Sequence, residues 1–501
     1  GRLQDGRGAG VAALSGFRPP AAVLLAGAVH AALLFLLPWD YAIDDTYIHL
    51  QFARNLANGD GLTFQAGEPP VYACSSPLWV FILSPPFLAG IGGAVCARLF
   101  SSLAAGISSV LAWLLASRLA AASRGRTVAA AAMLLCMADP WMVRWGASGM
   151  ESTAAAALVA AWALAVVSGR TPPAVTGLIA GVAFLARPEL AFLGPLGLVR
   201  GRVRKTGASA RMLAPWFVIT AGWATFAQLY FGRPLPTAVT AKASTLPISG
   251  YLATELPKLF EAVAVSCAPL LALAALVFLT AGRREGAMRQ CRPSSDVLPV
   301  MPAFLLALLL VMGGAPVTTR YLVPALPALF AGLASISAAF QGRPRRLPEA
   351  AFTATLCVQL GCGILLVRPH MAGVASNMET YREVAAGLDS LTPPGSLIAV
   401  QEIGVFGYEG HRRLLDLGGL VTPGAGTDFP GLDRDATASI RYLRSRGATH
   451  ILDPHGVVEP LMGLSDRLGV DFVPLASWVF PGGTSLSGAA TYTRVLYRLD
   501  W

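Results

Sequence analysis

Charge is scarce in this chain. Asp, Glu, Lys and Arg together make up 13% of its 501 residues, about half of the ~25% usual for a soluble domain. So few charges cannot cover a water-facing surface of this size. That excludes a soluble enzyme, a disordered polymer and a nucleic-acid-binding domain. Paired cysteines are lacking too. The seven cysteines, Cys74, Cys96, Cys136, Cys267, Cys291, Cys357 and Cys362, include no C-x-x-C pair, and none lies beyond Pro369. They read as small buried hydrophobes, and no disulfide supports the last part of the chain. Sequence repeats and low-complexity tracts are missing as well.

What is abundant is apolar: 54% of the residues, with a mean hydropathy of +0.58. This composition fits a polytopic membrane protein. The net charge of +10 comes from short basic clusters between apolar runs, as cytoplasmic membrane loops carry, and does not imply nucleic acid.

The apolar run Ala21–Pro38 is followed by no small-residue cleavage site and reads as a retained first span. Arg2, Arg7 and Arg18 place the residues before it in the cytoplasm and residues 39–96 outside. Pro77–Gly93 is interrupted by Pro85, Pro86, Gly90, Gly92 and Gly93, so it is expected as an interfacial or re-entrant element. The runs Leu99–Ala116, Val128–Met142, Thr153–Val167, Trp216–Phe231, Val263–Thr280, Leu298–Met312, Tyr321–Phe340 and Phe352–Val367 then alternate in direction. Thr176–Val199 has basic flanks on both sides and Arg187–Pro188–Glu189 in its middle, so it reads as two short helices meeting at a polar break. The sum is about eleven crossings. From Pro369 the pattern changes to a small α/β domain, placed outside by parity. Glu379–Leu388 and Ala436–Arg446 look helical, Ser396–Gln401 and His450–Asp453 look like strands, and Thr491–Leu499 alternates like an edge strand.

In a chain this poor in charge, the charged residues are informative. Asp44 and Asp45 stand just beyond the first span, at the start of an amphipathic stretch Thr46–Asn58. Gln51, Arg54, Asn55 and Asn58 share one face of it, so the helix is expected along the membrane surface. The two carboxylates either cap this helix or divide the work of a base and its partner. Together they could hold a divalent cation, though no full ligand set is legible and no cofactor is certain. Glu151, and Glu189 beside Arg187, are further external acids; each also has a purely structural reading, as a helix N-terminal acid or an ion-pair partner. Lys242, Arg187 and Arg320 are external cations suited to a phosphate, or else snorkelling side chains at the interface.

The stretch DDTYIHLQFARNLANGDGLTFQAGEPPVYACSSPLW resembles the first external loop of the GT-C superfamily of glycosyltransferases, closest to the mycobacterial terminal β-arabinofuranosyltransferase branch. SGMES, ARPE, YFGRPLPTAVTAK, RYLVPALP and QEIGVFGYEGHRRLLDLGGL continue the resemblance in order along nearly the whole chain. It departs from the family pattern at Thr237, where Asn is frequent, and at Gln401, where an Asp leads the tail motif. The resemblance implies an α-helical polytopic plasma-membrane enzyme. Residues 1–368 would be the GT-C-like transmembrane catalytic domain and 369–501 the extracytoplasmic α/β domain. It implies transfer of a sugar, arabinofuranose among the candidates, from a polyprenyl-phosphate donor to a glycan or lipid acceptor of the cell envelope on the outer face. By the same resemblance Asp44 is the general base and Asp45 orients it or the acceptor. Glu151 matches a second-loop acid, and Arg54, Glu68, Tyr72, Glu189 and Thr237 bind substrate. A single displacement with one base inverts the anomeric centre. A lipid transporter or flippase would also need many spans, a broken hairpin and intramembrane charge; the missing inverted repeats speak against it.

Overall fold

The computed structural model describes residues 37–38, 41–120, 125–200, 206–238, 248–281, 318–338, 346–422, 428–453, 456–482 and 491–501. Most of the expected first span, the expected span Leu298–Met312 and Lys242 lie outside the described residues.

Helix α1 (Asp44–Asn58) ends where Gly59 turns left-handed, at φ 90°. It packs on α2 (Pro77–Leu88), whose twelve residues are too short to cross a core of about 30 Å. Helix α3 (Ala94–Leu119) turns Ala97, Ser101, Ala105, Ser108 and Ala112 inward. Helices α4 (Gly125–Ala138) and α5 (Pro140–Ala147) meet at a 55° bend. They had been expected as one straight span. Pro140 cannot donate to the helical ladder, and Asp139 Oδ1 starts a new helix by accepting the N–H groups of Trp141 and Met142. The small face of α3 lets α6 (Ser152–Ser168) approach closely: Thr153 Oγ1 donates to the Ser101 carbonyl at 2.6 Å and Ser108 Oγ to the Thr153 carbonyl at 3.1 Å.

Helix α7 (Pro173–Ala186) stops at Arg187, whose backbone is extended. A tight turn over Pro188–Phe192 leads into α8 (Leu193–Arg200). These are the two short pieces that the Arg-Pro-Glu break implies. Helices α9 (Thr206–Phe231), α10 (Ile248–Ala281) and α11 (Leu326–Ala338) follow, α11 being entered through the turns Thr319–Tyr321 and Val323–Ala325. Helix α12 (Leu347–Cys362) continues through a wide turn at Gly363–Val367 into α13 (Arg368–Leu391). The expected last span and the expected helix at Glu379 are thus one continuous rod of 45 residues. Among the described residues five helices are long and apolar enough to cross a membrane, or six if the bent pair forms one span.

The last part of the chain forms a five-stranded sheet of β1 (Leu397–Val400), β2 (Arg413–Asp416), β3 (His450–Leu452), β4 (Asp471–Phe480) and β5 (Tyr492–Asp500), in the order β2-β1-β3-β5-β4. Strand β1 runs parallel to β2 and β3, and β5 antiparallel to β3 and β4. Strand β5 was expected at an edge but lies inside, because β4 covers it. Helix α14 (Gly404–Glu409) lies between β1 and β2, and α15 (Ala436–Arg446) between β2 and β3. One face of the sheet (Ala399, Ile451, Tyr497) is covered by Ile440 and Leu443 of α15. The other face (Ile398, Val400, Leu452, Leu496) shares a core with Tyr47, Phe52, Phe64 and Trp79 of the first loop. The sheet is therefore built onto the first loop through a common hydrophobic core.

Candidate active site

Neighbouring residues on a helix point about 100° apart, so Asp44 and Asp45 at the start of α1 face different surroundings. Asp45 Oδ2 accepts a hydrogen bond of 2.6 Å from Arg320 Nη1, in the turn before α11. The Arg320 guanidinium lies 5.2 Å from the centre of the Tyr321 ring, and that of Arg187 lies 4.7 Å from the same ring. Arg187, at the broken hairpin, donates from Nε to Glu189 at 2.6 Å and from Nη1 to Glu151 at 3.0 Å and Ser152 Oγ at 3.2 Å. Glu151 occupies the N-cap position of α6 but makes no cap bond; its carboxylate goes to Arg187 instead.

These side chains surround a cavity of about 50 Å³, whose lining includes Asp45, His49, Cys74, Glu151, Arg187 and Arg320. That volume has room for a few water molecules and is closed to a sugar ring. His49 Nδ1 lies 2.9 Å from the carbonyl of Asp45, so it carries the hydrogen and Nε2 is left as an acceptor. His49 Nε2, Glu151 Oε2 and Arg320 Nε are buried with no hydrogen-bond partner. A buried polar atom without a partner costs about 1–3 kcal/mol. Two acceptors and one donor of this kind on one cavity mark a place that a polar ligand would complete.

The remaining expected site residues turn elsewhere. Both oxygens of Asp44 accept backbone N–H groups of α14, Oδ2 from Gly404 and Oδ1 from Val405, each at 2.9 Å. Asp44 therefore caps a helix, but one 360 residues away in sequence. Burial at this junction pushes its pKa up to about 7, against the pull of the two N–H groups. Arg54 donates to the Tyr408 carbonyl at 2.9 Å and lies over the Tyr408 ring. Glu68 pairs with Arg413 of β2. Thr237 Oγ1 contacts the carbonyls of Tyr72 and Leu420 at 3.0 and 2.6 Å, and the Tyr72 hydroxyl accepts from Trp223 Nε1 at 2.7 Å. Asp45, Glu151, Arg187, Glu189 and Arg320 are thus brought together, whereas Asp44, Arg54, Glu68 and Thr237 join the first loop and the 231–238 segment to the sheet domain. Part of the polar face expected on α1 turns inward: Gln51 and Asn55 are buried and donate to the carbonyls of Thr63 and Phe64, while Asn58 is exposed.

A family model described as a domain of unknown function (DUF8728) matches residues 372–485. No curated protein matches the sequence. Solved structures do match in fold. ArnT from Cupriavidus metallidurans in the apo state is 15% identical, with 95% of this chain and 97% of that chain covered and a TM-score of 0.61. The oligosaccharyltransferase of Archaeoglobus fulgidus in the apo form is 12% identical, over 89% and 70% of the two chains, at 0.56. The arabinofuranosyltransferase AftD from Mycobacteria is 16% identical, covering 96% of this chain but 40% of its own, at 0.53.

The fold is of the GT-C type. In this GT-C fold the cavity draws on residues from 45 to 420, so the first loop, the broken hairpin, the turn before α11 and the segment after β2 all supply its wall. His49, Tyr321 and Cys74 are among the wall residues that the sequence analysis did not assign to the site. His49 could have been found, since it follows Asp45 by one helical turn. Tyr321 and Cys74 carry no spacing signal of their own. The shared cation suggested for Asp44 and Asp45 does not fit: one carboxylate is taken by α14 and the other faces Arg320. Among the described residues no group of three His, Cys, Asp or Glu side chains is close enough to hold a metal.

Proposed function

We propose that this chain is a membrane glycosyltransferase. It takes a sugar from a polyprenyl-phosphate donor and passes it to a glycan or lipid acceptor at the outer face of the plasma membrane. In this reading it crosses the membrane about eleven times, with the cavity and the sheet domain outside. Arabinofuranose is the first donor sugar to test, and the cell envelope the setting. ArnT has been solved with undecaprenyl phosphate bound, which supports a lipid-phosphate donor for a chain of like fold.

The observation that carries this reading is the meeting of Asp45 and Arg320 at 2.6 Å on the wall of a buried cavity. A transferase needs a carboxylate to take the proton of the incoming hydroxyl. It also needs a cation for the phosphate that departs. Asp45 accepts the proton as the acceptor oxygen bonds to the anomeric carbon. The bond from that carbon to the phosphate oxygen breaks, and its electron pair leaves with the lipid phosphate, which Arg320 receives through its unused Nε–H. One displacement inverts the centre. Arg187 is already committed to Glu151, Glu189 and Ser152, so it fixes the wall, while Glu151 Oε2 and His49 Nε2 accept sugar hydroxyls. This reading requires the cavity, about 50 Å³ here, to widen when the sugar binds.

Geometry ranks before pKa in choosing a base. The pKa of about 7 would suit Asp44, but its two oxygens are occupied, so the base is assigned to Asp45. The test is transfer from radiolabelled polyprenyl-phosphate sugars, arabinofuranose included, by the purified chain in detergent. Release of labelled glycan supports the enzyme. No transfer from any donor, with labelled lipid crossing vesicles instead, favours a flippase.

A further inference from the structure

A second cavity, of about 290 Å³, opens between the first loop and the sheet domain. Its size is near the lower end of the range for small-molecule sites, about 300 Å³. We propose that it binds an anionic saccharide, a sugar unit bearing a carboxylate or a phosphate, as part of the acceptor. This rests on the transferase reading for its role, but not for its binding.

The lining has a charge balance opposite to that of the first cavity. Arg413 and Arg446 face it with only Glu68 as a carboxylate, whereas the first cavity has Asp45, Glu151 and Glu189 against Arg187 and Arg320. The pair between Arg413 and Glu68 has side chains 60% and 39% exposed. Such a pair is worth little, so Arg413 can exchange it for a ligand anion. Arg446 lies at the exposed end of α15, its guanidinium 5.2 Å from the Tyr442 ring centre. Pro69, Pro70 and Val71 form an apolar wall that suits the C–H face of a sugar ring.

The cavity borders β2, an edge strand, and an open edge would invite an extended peptide. This edge is closed. The side-chain amide of Gln65 takes both backbone groups of Leu414, accepting its N–H at 2.8 Å and donating to its carbonyl at 3.0 Å. Asp416 N–H is taken by Thr422 Oγ1 at 3.0 Å. A saccharide needs no strand edge, so the lining favours it over a peptide.

The two cavities are lined by successive residues of the same two segments. Pro70 and Val71 line the second, and Ala73, Cys74 and Ser75 the first; Val421 and Thr422 line the second, and Leu420 the first. Tyr72 is the residue between, tied to Leu420 through Thr237. A saccharide in the second cavity would have its next unit beside the wall that ends at Asp45.

The test is binding to the full chain in detergent, by titration calorimetry. The three probes are a uronate-bearing disaccharide, a phosphorylated disaccharide and a neutral one. At least one anionic probe should bind about tenfold or more tightly than the neutral one, and whichever binds names the source of the charge. The double variant Arg413→Gln/Arg446→Gln should lose that advantage while keeping the wild-type melting temperature. Arg441→Gln, on the same helix, should keep it. Equal affinities, an advantage that survives the double variant, or no binding by any probe would overturn the site. Asp45→Asn should bind like wild type. Binding without transfer by the wild-type chain would sink the transferase and leave this site standing.

Discussion

Gly404 and Asp44 meet backbone to backbone: a Cβ on Gly404 would lie 2.0 Å from the Asp44 carbonyl oxygen. The Gly404 N–H also donates to the carboxylate of the same residue. Three residues on, a Cβ on Gly407 would lie 2.4 Å from the ring of Phe64. The G-x-x-G of α14 is thus the surface on which the sheet domain is pressed against the first loop. The base assigned to the cavity is the immediate neighbour of the residue that makes this joint.

Gly404→Ala should therefore loosen the joint. Overpacking against fixed backbone costs about 1–3 kcal/mol. A lower melting temperature in detergent, with faster proteolysis in the 392–397 connection, is expected. A variant as stable and as protease-resistant as wild type would show that the joint tolerates a methyl group.

The same joint should respond to pH. The folded-state pKa of Asp44 is raised from 3.8 to about 7, so the folded chain holds this proton more tightly than the unfolded one. Its contribution to stability is full below about pH 4 and is lost as pH rises through about 7. The melting temperature of wild type should fall from pH 5 to pH 8 by more than that of Asp44→Asn, which has no proton to lose there. Parallel curves for the two proteins would remove Asp44 from the pH response.

Arg187 holds two buried carboxylates at once, and its fork is what makes that possible. Arg187→Met takes the hydrogen-bonded counter-charge from both, at a cost of about 3–5 kcal/mol, and should fail to give folded protein. Arg187→Lys, a single point charge, should fold but melt several degrees lower. Melting curves and yields of monodisperse protein decide the matter; a wild-type curve for Arg187→Met would mean the cluster bears no structural load.

Much of this was legible beforehand, and the limits have physical causes. Helix α1 could be read from its periodicity, and the hairpin break from Arg187–Pro188–Glu189. Strands β1 and β3 were legible as short strand-like runs and β5 as an alternating stretch. Strand β2 follows directly on the basic residues His411 and Arg412 and β4 contains Pro474; neither was read as a strand, and β5 was misread as an edge for want of β4. The site was legible as a list of charges, not as an arrangement. One-dimensional spacing cannot say which of two adjacent aspartates faces a cavity and which a partner helix. Nor could it show that Arg54, Glu68 and Thr237 bind the sheet domain, since their contacts span more than 180 residues.

Arg320 should matter to transfer more than to folding. Arg320→Gln removes the cation assigned to the departing phosphate and should lower kcat by about a hundredfold or more. The melting temperature should move little, since Asp45 is about a third exposed and can be hydrated. An unchanged kcat would mean that another cation receives the phosphate.

The central claim is that Asp45, and not Asp44, takes the proton. The most direct measurement is single-turnover transfer from a radiolabelled polyprenyl-phosphate sugar by wild type, Asp44→Asn and Asp45→Asn, each shown to bind the donor. Asp45→Asn should lose transfer by about a thousandfold or more, and Asp44→Asn should keep a substantial part of it, limited by the loosened joint. The reverse order, with Asp45→Asn active and Asp44→Asn dead, would contradict the assignment and return the base to Asp44.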